Sequence, residues 1–126
     1  MILTPHILIG AAIGAHLDSW LWVIILAVIS HFLLDIIPHA EYPIKDTPKV
    51  IMDFSLGFLL VVALNPGFLV LLGATFAIFP DFLTLFNIKA VTRLHRKAHF
   101  LRKKNFPFWG RVLIQLLVSI FALALL

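Results

Sequence analysis

The segment SHFLLDIIPH, residues 30–39, places His31, Asp35 and His39 at successive intervals of four. On a helix that spacing stacks side chains along one face, although Pro38 sets a limit to the helix before His39. Imidazole nitrogens and carboxylate oxygens together suit a borderline divalent cation, zinc first, with Mn²⁺ or Fe²⁺ as alternatives. Water bound to such an ion becomes a nucleophile near neutral pH, so the chemistry in view is hydrolysis. Asp81, in AIFPDFLT at 77–84, is a second carboxylate to pair with Asp35. Asp81, Asp35 and His31 are therefore the candidate catalytic group. The alternative for His31 and Asp35 is a hydrogen-bonded pair on a helix surface near an interface.

Four further positions carry two readings each. His6 follows Pro5 at a helix start and fits a ligand or a satisfied interfacial histidine. Asp53 reads as a site acid or as an acid at a helix start, where the dipole favours it. His95 and His99, in RLHRKAHFLRKK, are again four apart and either add ligands or belong to a basic amphipathic segment. In the second case that segment lies on anionic headgroups with Leu94, Ala98 and Leu101 inward. Arg93, Arg96 and Lys97 in either case offer charge to an anionic substrate. His16 and Asp18, in GAHLDSW, are set apart from this group, and Asp18 or Ser19 is expected to cap the following helix.

These residues sit in a chain with little polar sequence. Of 126 residues 62% are hydrophobic and 13% charged, and the mean hydropathy is +1.08. A soluble domain of that size cannot cover its surface with so few polar groups, so an all-α, polytopic transmembrane bundle is expected as one domain over 1–126. The absence of cysteine excludes disulfides and thiolate sites. The N-terminus MILTPHILIG lacks a basic region and a cleavage pattern, so the first segment is expected to be retained. All six acids lie at or before Asp81, while seven of the ten Lys and Arg fall between Lys89 and Lys104. Such asymmetry does not resemble a nucleic-acid surface, and none is expected as partner. It fits a cytoplasmic stretch beside a membrane.

Five apolar segments follow, at 6–17, 20–38, 50–64, 68–88 and 109–126. At about 1.5 Å per residue against a core of roughly 30 Å, the first and third are short and suggest tilt or re-entry. Trp20 and Trp22 suit interfacial anchors, and Gly10 with Gly14 suits a close helix contact. With the basic stretch 89–105 placed in the cytoplasm of a prokaryotic cell, the N-terminus is cytoplasmic as well. His6, His31, Asp35, His39, Asp53, Asp81, His95 and His99 then gather at one depth. Two late polar positions, in ILAVISHFLLD at 25–35 and ATFAIFPDFLT at 74–84, hint at related half-bundles.

Three short motifs resemble those of the membrane-bound metal-dependent hydrolases of bacteria and archaea. They are TPHILIGAAIG at 4–14, FPD at 79–81 and HRKAH at 95–99. The resemblance implies that His6, Asp81, His95 and His99 belong to a metal site with Arg96 nearby, and SHFLLDIIPH would add His31 and Asp35. This chain departs from the pattern after Asp81, where FLT stands in place of a second aspartate, and in the shortened HRKAHF element. The function expected is metal-dependent hydrolysis of an ester or phosphoester on a lipid-like substrate. Two other classes fit the same residues: a non-enzymatic adaptor whose basic stretch binds membrane lipids, and a small metal- or proton-coupled transport component.

Overall fold

Pro5 and Pro48 each stand in the first turn of a helix, where a missing N–H removes no bond the helix needs. Pro38 does the opposite. It forces Ile37 into extended backbone (ψ 132°), so the helix carrying His31 and Asp35 stops at Ile36. Asn65 takes a left-handed conformation (φ 52°), which asparagine tolerates better than most residues, and with Pro66 it reverses the chain.

The structure, a computed structural model, describes residues 2–40, 46–86, 88–98 and 106–126. They form α1 (Thr4–Ala15), α2 (Trp20–Ile36), α3 (Thr47–Val62), α4 (Phe68–Leu85), α5 (Lys89–Ala98) and α6 (Phe108–Ala124). The protein is all-α. The stretch expected as a basic loop at 89–105 begins as helix α5, and its remainder lies outside the described residues. Among the described residues no helix is long and apolar enough to cross a membrane. The spans expected at 20–38 and 68–88 are 17 and 18 residues long because Pro38 and the turn at Phe86 end them early. The expected helix-start role of Asp53 also fails, since α3 begins at Thr47 and Asp53 lies well inside it. Ser19 stands at the N-cap of α2, but its side chain makes no capping bond. His16, just past the end of α1, turns back so that its Nδ1–H meets the Ala12 carbonyl at 2.9 Å.

The shortest apolar segment is the centre of the bundle. Nine of the 12 residues of α1 are buried, and it packs against α2, α3, α4 and α6. A helix enclosed on all sides needs no polar face, which is why α1 reads as uniformly apolar and small. Glycines set its approach to α4. A Cβ on Gly10 or Gly14 would collide with the Gly73 or Leu69 carbonyl, and one on Gly73 would strike the Gly10 carbonyl. Ile7, Leu8, Ala11, Val61, Ala74 and Ala122 fill the surrounding core. Large apolar side chains instead point outward: Trp20, Trp22 and Leu33 on α2, Met52 and Leu59 on α3, Trp109 and Phe121 on α6. Along α4 and its C-terminal turn, Phe76, Phe79, Phe82 and Phe86 form a ladder of ring contacts with centroids 5.2–6.5 Å apart.

Candidate functional site

Four ionisable side chains from three helices meet at one end of the bundle. α1 supplies His6 from its first turn, α2 supplies His31 and Asp35 from its last turns, and α4 supplies Asp81 just after Pro80. All four are buried, at 4%, 0%, 2% and 3% exposure. His31 Nε2 lies 3.3 Å from Asp35 Oδ2 and 3.7 Å from Asp81 Oδ1. His6 Nε2 lies 3.7 Å from Asp35 Oδ1. The two imidazole rings are tilted against each other with centroids 4.6 Å apart.

The orientation of His31 follows from its other nitrogen. Nδ1 is 2.7 Å from the carbonyl oxygen of Ala77, which can only accept, so Nδ1 carries the proton. In the neutral ring, Nε2 then holds the lone pair and faces the carboxylates. A backbone carbonyl that fixes the tautomer in this way is the usual support of a metal-ligating histidine. Pro80 interrupts the hydrogen-bond ladder of α4 close to that carbonyl.

The distances limit what the group can be. Separations of 3.7 Å are too long for hydrogen bonds, whose usual N···O length is about 2.9–3.0 Å. Two donors each about 2.1 Å from a tetrahedral ion would stand roughly 3.4 Å apart. The three contacts, at 3.3, 3.7 and 3.7 Å, straddle that value. They run as a chain, His6 to Asp35 to His31 to Asp81, and among the described residues no set of three or more such side chains is arranged so that it could hold a metal ion as it stands. Charge gives the same limit. Two carboxylates buried beside two imidazoles are balanced by two imidazolium ions, by one divalent cation or by protonation of the carboxylates themselves.

His39 adjoins the group, although Pro38 removes it from the face of α2. Its Nδ1–H donates to the Ile37 carbonyl at 2.7 Å, and its ring meets His6 edge-on with centroids 6.3 Å apart. The segment around it is held from α6, where Gln115 Nε2 donates to the Ala40 carbonyl at 3.0 Å. His39, His6 and Gln115 line a mainly apolar cleft between α1, α2 and α6 that reaches the group. The spacing of four from Asp35 singled out His39 in the sequence, but its contact comes from the turn after Pro38 and not from the face of α2.

The other expected site residues divide by position. Asp53 lies on α3, away from the four, and bonds to the head of α1. Arg93 and Lys97 are exposed on α5. His95 and Arg96 also sit on α5, but their side chains, like the whole of His99, lie outside the described residues. Comparison with protein-family models, curated proteins and solved structures finds no match for the chain. The resemblance to metal-dependent hydrolases therefore rests on its short motifs alone.

Proposed function

We propose that this protein is a membrane-embedded, metal-dependent hydrolase acting on an ester or phosphoester at the cytoplasmic face of a prokaryotic inner membrane. The observation that carries the reading is the convergence of His6, His31, Asp35 and Asp81 at spacings close to those of ligands around one zinc ion. These residues would hold the metal, with Mn²⁺ or Fe²⁺ as alternatives, and the ion would supply Lewis acidity and a more acidic water. His31 is fixed by Ala77 to present Nε2, and Asp35 bridges the two histidines. His39, at the cleft beside His6, is placed to carry a proton to or from a substrate.

Membrane embedding is supported by the distribution of side chains. The bundle buries Asp35 and Asp81 and exposes Trp, Phe, Leu and Ile around its circumference, opposite to a water-soluble arrangement. Helices of 16–18 residues rise about 24–27 Å, and tilt, flanking residues or local thinning can accommodate the remainder of a roughly 30 Å core. The test is turnover in lipid nanodiscs over a panel of phospholipids and isoprenoid phosphates, with and without Zn²⁺ or Mn²⁺. Chelation and Asp81→Asn should each abolish it. Wild-type protein that binds neither metal under any condition rules the hydrolase out.

A lipid-binding adaptor is the second reading. The observation that favours it is the exposed run Phe79, Phe82, Phe86, Ile88 and Leu94, which leads into Arg93 and Lys97 on α5. Wild-type protein that binds no metal but associates with anionic headgroups through α5 would support it.

A further inference from the structure

The carboxylate of Asp53 does not join the buried cluster, yet its contacts reach the residue that begins it. We infer that Asp53, through Thr4, is a positioning residue that holds His6 against Asp35 and His31. Its functional consequence rests on the metal-site reading.

At the head of α1 the backbone amides lack helical partners, and Leu3 at the N-cap position offers no side-chain acceptor. Asp53, reaching across from α3, takes that role. Its Oδ2 accepts from the Leu3 amide and, at 3.2 Å, from the Thr4 amide. The Thr4 hydroxyl donates to Asp53 Oδ1 at 2.7 Å, with the Asp53 carbonyl oxygen 2.9 Å away as a second acceptor. Side chain and backbone are thus clamped at both atoms of one carboxylate, 49 and 50 positions away in sequence.

Gly57 makes the reach possible. It lies one turn after Asp53 on the same face of α3, and a Cβ there would come 2.8 Å from Ile7 Cδ1 and 3.1 Å from Thr4 Cα. Val61, another turn on, is fully buried. The Asp53, Gly57, Val61 stripe therefore seats α3 on the first turn of α1. His6 is two residues after Thr4 in that same turn. With the turn held from one side by Asp53, the imidazole is delivered to the other side, 3.7 Å from Asp35. Freed of the clamp, the turn frays and His6 moves while the glycine contact of α1 with α4 keeps the rest of the helix in place.

The experiment uses full-length protein in nanodiscs with ¹⁵N-labelled histidine, first without metal. Asp53→Ala should shift the His6 ring resonances. His16, bonded to Ala12 at the far end of α1, should not change. Asp53→Asn keeps an oxygen acceptor for the amides and should restore the His6 signals toward wild type. Thr4→Val, which removes the hydroxyl with little change of shape, guards against an Asp53→Ala protein that fails to fold and should shift His6 in the same direction. Co²⁺ titration followed by absorbance then reads the consequence: affinity falls about 10-fold in Asp53→Ala, as for other supporting residues of metal sites. His6 resonances unchanged in both Asp53→Ala and Thr4→Val overturn the inference. Wild-type protein that binds no Co²⁺ overturns the metal reading instead, and the His6 resonances still decide the clamp.

Discussion

Both ring nitrogens of His31 face acceptors, Ala77 O on one side and two carboxylates on the other, in a buried site. Such a site is sensitive to charge more than to shape. Asp81→Asn keeps the shape and one oxygen but removes a buried negative charge. We expect the metal-free variant to unfold at a midpoint equal to or above wild type, because an acid held without a cation is a cost rather than a gain. Its zinc affinity should fall at least ~10-fold, read by competition with a coloured chelator. A variant that binds zinc as tightly as wild type would remove Asp81 from the site. His31, Asp35 and Asp81 were legible as residue types in an unfavourable apolar setting. Their mutual orientation was not, since it depends on the Ala77 carbonyl of another helix.

At the scale of elements, α1 and α4 cross closely because Gly10, Gly14 and Gly73 let backbone meet backbone. That crossing brings His6 of α1 to the same end as Asp81 of α4. Gly73→Ala puts a methyl against the Gly10 carbonyl and should cost about 1–3 kcal/mol, measured as a lowered unfolding midpoint. Gly110→Ala, where a Cβ finds its nearest neighbours at 3.4 Å, should cost nothing and gain up to about 1 kcal/mol from helix propensity. Equal effects from the two would show that the α1–α4 contact is not tight. The late polar positions of 25–35 and 74–84 find their meaning here. Asp35 and Asp81 both lie in the last turns of their helices, and His31 stands between them.

For the whole molecule, a metal held by three helices should stabilise the bundle as a unit. Zinc at about 100 times its dissociation constant is expected to add ~2.7 kcal/mol to wild type, read as a rise in unfolding midpoint that Asp81→Asn does not show. An unchanged midpoint would argue against one site shared by α1, α2 and α4. Topology can be tested just as directly, because the chain has no cysteine. A Lys97→Cys protein should resist an impermeant thiol reagent outside intact cells and react after permeabilisation; labelling without it would place α5 on the outer face. By itself the sequence determined the helical class, the approximate segments and the polar residues that are costly to bury, since composition, proline positions and apolar runs act locally. Only the tertiary structure decided that the short first segment is the core, that His39 adjoins the site from a turn, and that Asp53 serves the head of α1. Each of these depends on contacts between residues far apart in the chain, and no spacing within one helix encodes them.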